Sequence, residues 1–184
     1  MAQEEKFAEI LNKMQELKKG NNPLDLSTKE DLAIGIMNLI SLEEHFFFTY
    51  NKTQDKKYLD LLNEIRSMRK DLLKEIVQNP EGEVWCISKH LLAASMRLME
   101  VGTKKLSDGR QEEAEGLFHK SYDLWNIFWG LNLGLLEVKD LKKTEEDSKE
   151  AETLTVQSKN KEKHLSVFTK LGEIIQEILD CCKE

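Results

Sequence analysis

The sequence predicts an all-α protein: a four-helix up-down-up-down bundle with an additional amphipathic helix at its N-terminus and another at its C-terminus. Two features of the composition support this class. Only 9 Gly and 2 Pro occur among 184 residues, too few for a turn-rich β fold, and the 33% of residues that are charged are mostly good helix formers. In addition, apolar residues recur three and four positions apart through long segments, as in amphipathic helices.

The first predicted helix lies within residues 1–22 and carries a narrow apolar stripe. Residues 20–23 end it, because Gly suits a helix C-terminus and Pro cannot continue a helix. Ser27 and Glu30 have the spacing of a capping box, in which the two side chains bind backbone amides reciprocally. We therefore place the start of the second helix, and of the bundle, at residue 27.

The bundle is predicted to occupy residues 27–138. A weak break follows Tyr50, and firmer turns at residues 79–82 and 107–109 separate the later helices. Because the connections are short, consecutive helices should be antiparallel neighbours. The four predicted helices cover residues 27–50, 58–76, 83–106 and 110–138.

The last quarter of the chain, residues 139–184, is predicted to consist of a linker and one helix. Residues 139–159 are charged and rich in Ser and Thr, a composition typical of a polar linker. An apolar face returns in residues 160–184, which we predict to form the C-terminal amphipathic helix. This helix would pack either on its own bundle or on a second chain.

Charge and cysteine content argue against several classes of function, although the overall charge leaves room for a local basic patch. The formal net charge is −7 and the pI about 5.3, whereas a protein that mainly binds nucleic acid needs a basic surface. No stretch resembles a signal peptide or a membrane span. Three cysteines, two of them adjacent, fit neither a disulfide framework nor a zinc site. We expect a cytoplasmic protein that binds neither nucleic acid nor membrane.

Glu43 is the most informative residue, because it lies in the middle of an apolar helix face. Arg69 is similarly central on the next helix, and a helical side chain leans toward its own N-terminus, here toward Glu43. Residues equally distant from an antiparallel turn face each other, so we predict that Glu43 pairs with Arg69, with Arg66 beside them. The apolar face around Glu43 consists of Leu32, Ile36, Leu39, Ile40, Phe46, Phe47 and Tyr50.

The following two helices contribute further polar residues at the same predicted level. Ser88, Ser95 and Gly102 recur every seven positions and would allow close approach of a neighbouring helix. Reflection about the turn places Ser95 opposite Ser121. The prediction is a polar layer in the middle of the bundle, made of Glu43, Arg69, Ser95 and Ser121, with Asn132 about three turns away near Val84.

The polar layer has two interpretations. As a structural network, it would fix the register of the helices, and the protein would be a non-catalytic interaction or scaffold protein. Alternatively, Glu43, Arg66, Arg69, Ser95 and Ser121 would line a pocket that binds a small polar or anionic ligand, or hydrolyses one with Glu43 as the base. A dry, self-satisfied layer favours the first interpretation, and a cavity favours the second.

Metal-dependent and nucleophilic chemistry have little support in the sequence. The bundle lacks the Glu-x-x-His pairs of a di-iron site, and His45, His90 and His119 fall on polar helix faces. His164 lies on an apolar face but near a predicted helix end. Cys86 and His90 share a helix side without an adjacent oxyanion hole. We predict no catalytic residue, no metal and no cofactor.

Residues 124–136 are apolar on nearly every side of the predicted helix. Trp125 and Phe128 point to the core, whereas Trp129 and Leu133 lie toward the edge of the apolar face. Either the terminal helices or a second chain must cover this surplus. Cover by the terminal helices is slightly favoured, because two amphipathic helices are available for it, and a dimer through the same surface is a close second. Trp129 and Leu133 are the residues that we expect at such an interface, with another protein or with a second copy.

Overall fold

The computed structural model describes residues 12–13, 23–77, 82–138, 172 and 175. Within these ranges the chain forms four α-helices and no strand, so the predicted all-α class is confirmed. Most of the predicted N-terminal helix, the linker and most of the C-terminal helix lie outside the described residues. The helices are α1 (Pro23–Thr53), α2 (Lys57–Ile76), α3 (Glu83–Ser107) and α4 (Gln111–Asn132).

The helix α1 begins four residues earlier than predicted, at Pro23. Proline is well suited to the first helical position, because its ring presets φ and the amide it lacks would have no partner within the helix. Ser27 therefore lies inside α1, and the interpretation of Ser27 and Glu30 as the start of the helix was wrong. Pro23, which was predicted to end the N-terminal helix, is the first residue of α1.

The helix α4 ends at Asn132, six residues before the predicted end. Gly134 adopts a positive φ of 70°, a conformation that glycine tolerates without a Cβ clash. The Leu135 amide donates to the Gly130 carbonyl at 2.8 Å, and the Gly134 amide donates to the Leu131 carbonyl at 3.2 Å. This Schellman pattern ends the helix and turns Leu135 into the core.

The four helices form two antiparallel pairs. In the first helix pair, α1 packs along α2, with Phe46 beside Tyr58 near the turn. In the second helix pair, α3 packs along α4, and Gly109, at a φ of 74°, makes the turn between them. The two pairs contact each other mainly through α1 and α3. An exposed ion pair of Glu44 and Arg97 lies across it.

The core occupies one end of this arrangement. We call it the closed end: there α1 and α3 begin, and α2 and α4 end. Burial of apolar side chains at this end is the main source of stability. Ile175, near the C-terminus, belongs to the same cluster. The buried core residues are Leu26, Ala33, Ile36, Met37, Leu73, Ile76, Val77, Leu92, Phe128, Trp129, Leu135 and Ile175.

Candidate functional site

The predicted contact between Glu43 and Arg69 is present. The Arg69 Nε donates to Glu43 Oε1 at 2.7 Å, and Nη2 donates to Oε2 at 3.2 Å. Arg69 is only 3% exposed, whereas Arg66 is largely exposed, with its Nη1 4.0 Å from Glu43 Oε2. This fork-to-fork geometry is the strongest form of an arginine–carboxylate contact. Both carboxylate oxygens are therefore engaged by the protein itself.

The predicted contact between Ser95 and Ser121 is also present, and it is reciprocal. The Ser95 hydroxyl donates to the Ser121 carbonyl at 2.9 Å, and the Ser121 hydroxyl donates to the Ser95 carbonyl at 2.7 Å. Both residues are buried. Small side chains let α3 and α4 approach closely enough for each hydroxyl to reach the backbone of the other helix.

Asn132 lies one turn from its predicted level. Its Nδ2 donates to Ser88 Oγ at 3.0 Å and to the Phe128 carbonyl at 2.7 Å. The prediction named Val84, which is four positions before Ser88. The turn itself is not the cause, because the same reflection correctly places Ser95 opposite Ser121. A helical side chain leans toward its own N-terminus, and from Asn132 this direction leads one turn back, to the level of Ser88.

Within the described residues, the members of the predicted polar layer form two separate hydrogen-bonded groups. The Glu43–Arg69 contact lies within the first helix pair, and the Ser95–Ser121 contact within the second. Across the described ranges, no hydrogen bond connects the two groups. Each group is satisfied by its immediate helix neighbour, as a register-fixing contact would be.

Trp129 does not lie at an exposed edge, which corrects the prediction that it contributes to an interface. It is 1% exposed, and its ring packs against those of Phe128 and Trp125, with centroids 5.1 and 5.8 Å away. Leu133 is half-buried and packs against the same core. The surplus apolar surface of α4 is thus covered within the chain.

The histidine and cysteine side chains of the described helices lie on the protein surface. Where the chain is described, no three His, Cys, Asp or Glu residues come together as metal ligands. Cys86 is exposed, as are His45, His90 and His119, while His164 lies outside the described ranges. None of the helices described is long and apolar enough to cross a membrane.

Two carboxyl groups of α4 have shifted pKa values. Burial raises the pKa of Asp123, partly offset by the nearby charge of His119. Hydrogen bonds from Arg110 lower the pKa of Glu113 at the exposed start of α4.

A feature that the sequence interpretation missed appears on α3, at the end opposite the core. Leu92, Met99 and Leu106 recur at seven-residue spacing and therefore follow one helix face. Leu92 is fully buried, but Met99 is 42% exposed and Leu106 49% exposed. The face that is covered at the closed end is left uncovered toward the turn between α3 and α4.

On α1, too, side chains of one helix face are buried near the closed end and exposed toward the other end. Ile36 is fully buried, and Phe47, which lies three turns further on the same face, is 51% exposed. Phe48 follows Glu44 by one turn on the side facing α3 and is 52% exposed. The two phenylalanine rings contact edge to face at 5.3 Å. The apolar face predicted around Glu43 is therefore not covered along its whole length.

These exposed side chains belong to the inner faces of both helix pairs. We call the end that carries the two interhelical turns the open end, and we define the open-end surface as Phe47, Phe48, Met99 and Leu106. Periodicity could identify the faces. It could not show how far the opposite helix pair covers them, since that depends on the packing of the two pairs.

Comparisons with known proteins do not assign a family. The chain matches no protein-family model, no curated protein and no solved structure. Function must therefore be argued from the buried polar contacts and the open-end surface.

Proposed function

We propose that the protein is a non-catalytic helical interaction protein of the cytoplasm. In this proposal α1–α4 act as a four-helix up-down-up-down bundle with a further helix at each chain end, and the open-end surface binds another protein chain. The observation that carries the proposal is the exposure of Phe47, Phe48, Met99 and Leu106 on faces that are buried at the closed end.

The chemistry of the open-end surface supports binding to protein. Isolated exposed apolar residues are normal on a protein surface, but these four lie on the inner faces of neighbouring helices. Aromatic and methionine side chains are enriched in interface cores, and the flexible thioether of Met99 adapts to varied partners. The surface therefore suits apolar side chains of a partner helix or loop.

The buried polar contacts support a non-catalytic role. Both oxygens of Glu43 accept hydrogen bonds from Arg69, so the protein itself holds this carboxylate in place. The serine hydroxyls likewise donate to backbone carbonyls. Polar groups that satisfy one another in this way favour the structural interpretation over a ligand pocket.

Site-specific photo-crosslinking tests the proposed function. A photoreactive phenylalanine analogue at Phe47 of the full chain should yield an adduct of defined mass on irradiation in cells. Ile34 is the matched control, because it is 46% exposed on the outer side of the same helix. The proposal requires an adduct at Phe47 that is absent at Ile34 and lost with Met99→Asp. Equal adducts at both positions, or none, would contradict it.

A further inference from the structure

Charged residues border the open-end surface on α1, and their signs differ along the helix. Glu44 lies one turn before Phe48 and Lys52 one turn after it, so the two charged residues are about 12 Å apart along one side of α1. Both charged side chains are exposed. Phe48, which is 52% exposed, therefore lies midway between an acidic and a basic group.

The neighbouring helix α3 carries charges in the same order. Glu100 is followed one turn later by Lys104, whose side chain is exposed. Glu100 lies near the level of Glu44, because the guanidinium of Arg97 binds both carboxylates. Since α1 and α3 run in the same direction, the acidic groups of both helices lie nearer the closed end and the two lysines lie nearer the turns.

Neither the acidic nor the basic group is neutralised within the described ranges. Among the acidic residues, one guanidinium faces two carboxylates, so one negative charge is in excess. For the basic residues, no ion pair in the described part of the chain includes Lys52 or Lys104. These charges favour a partner that presents the opposite signs in the opposite order.

We propose that the occupant of the open-end surface is a second copy of this chain, related to the first by a two-fold axis that passes near Phe48. The inference rests on the proposed function, because it names the partner of that same surface. A two-fold interface brings one surface against itself, so the surface must be complementary to its own rotated copy. An apolar centre with acidic groups on one side and basic groups on the other meets this condition, whereas charges of one sign would repel their copies.

The two-fold axis determines which side chains meet. The α1 helices of the two copies run antiparallel across the interface, with the Phe48 rings at its centre. Glu44 of each copy faces Lys52 of the other copy, because the two residues are equally distant from Phe48. Burial of Phe47, Phe48 and Met99 stabilises the dimer, and the charge pairs fix the alignment of the two copies.

Reversal of single charges in the purified full chain tests this arrangement. Lys52→Glu makes the opposed groups both acidic, and Glu44→Lys makes them both basic. Each variant should dimerise at least about tenfold more weakly than wild type, because each substitution occurs twice in the dimer. An equimolar mixture should recover wild-type affinity as a heterodimer, since every opposed pair then has opposite signs. Sedimentation velocity measures dimer formation, and native mass spectrometry with one variant isotopically labelled identifies the heterodimer.

The matched control is Lys70→Glu, which makes the same change of charge at an exposed position of α2 near the closed end. It should dimerise as wild type does. Circular dichroism checks the folding of each variant, because Glu44→Lys loses the contact with Arg97. If Glu44→Lys does not fold, Lys52→Glu alone decides: its difference from wild type must shrink in about 1 M salt, where the Debye length is about 3 Å.

The results separate this inference from the proposed function. A wild-type dimer that Lys52→Glu weakens and the mixture restores supports both. A wild-type chain that stays monomeric up to its solubility limit, or a dimer that Lys52→Glu does not weaken, would overturn the inference. The proposed function would then still stand if the Phe47 adduct in cells contains a different protein and is lost with Met99→Asp.

Discussion

At the scale of single residues, Glu43 and Arg69 make the contact with the clearest physical purpose. A buried ion pair adds little net stability, because desolvation offsets the attraction between the charges. Removing one partner, however, leaves the other charge buried and unpaired. The pair therefore penalises helix registers that separate it, which is how α1 and α2 hold a defined alignment.

Arg69→Met should lower the free energy of unfolding by about 3 kcal/mol, the cost of leaving a partly buried carboxylate unpaired. The double variant Glu43→Leu/Arg69→Met should regain most of this loss, because no charge then remains inside. Urea denaturation of the two variants and the wild type measures both effects. A double variant as unstable as Arg69→Met would show that the pair is more than a register contact.

Asp123 should make stability depend on pH. Burial raises its pKa in the folded state above the ordinary value of 3.8. Its contribution is therefore complete below that value and is lost as pH rises through the folded-state pKa. Asp123→Asn should gain stability relative to wild type as pH increases through this range, in denaturation curves recorded at several pH values.

The control for Asp123→Asn is Glu75→Gln, which removes a charge from an exposed position on α2. A difference between Asp123→Asn and wild type that stays constant with pH would argue against the burial of Asp123 as its cause.

The two buried polar contacts could be predicted from the sequence. The contacts of Glu43 with Arg69 and of Ser95 with Ser121 follow from helical periodicity and short turns, because these fix both the face and the approximate level of each side chain. Phe47 and Trp129 could not be placed in this way. Their exposure depends on which helices cover them, and this is a tertiary property.

At the scale of the helices, the close approach of α3 and α4 depends on small residues at seven-residue spacing. Ser88, Ser95 and Gly102 are all buried on the side that faces α4. The Phe118 ring packs directly over Gly102, where an added Cβ would lie 2.7 Å from Cε1. The predicted role of this small-residue face is confirmed.

Gly102→Ala should therefore destabilise the protein by about 1 kcal/mol or more, because the half-buried ring must move. Gly116→Ala is the matched control within α4, since an added Cβ meets nothing within 4 Å. That control should stabilise by roughly 0.5–1 kcal/mol through helix propensity. Thermal denaturation of both variants tests the contrast, and equal stabilisation would contradict the close packing.

Gly134→Ala should destabilise by about 1 kcal/mol, because alanine is strained at a φ of 70°. Gly134→Asn should cost less, since asparagine tolerates the left-handed region better. Chemical denaturation of the two variants measures the difference. If both substitutions were neutral, the Schellman turn would not be what fixes the end of α4.

Helix existence was easier to predict than helix ends. The periodicity of α1–α4 identified all four helices, but Pro23 and Gly134 each allow two local interpretations. Pro can follow one helix or begin the next, and a leucine-rich stretch can continue past a glycine or turn at it. Tertiary burial of Leu135 decides the second case.

At the scale of the whole molecule, the asymmetry between the closed and open ends is the main finding that sequence patterns did not predict. Each helix carries an apolar face along most of its length, so the pattern suggests a uniformly filled bundle. The structure concentrates the buried core at the closed end and leaves the open-end surface exposed. A difference in packing between two helix pairs has no signature in the periodicity of any one helix.

The most direct test is photo-crosslinking from Phe47 in three forms of the full chain: the otherwise unchanged protein, the Glu43→Leu/Arg69→Met variant and the Met99→Asp variant. The account predicts that the Phe47 adduct persists in Glu43→Leu/Arg69→Met, which removes the buried polar pair, and disappears in Met99→Asp, which changes only the open-end surface. Loss of the adduct in the polar-pair variant with retention in Met99→Asp would contradict it, and would locate function at the polar pair.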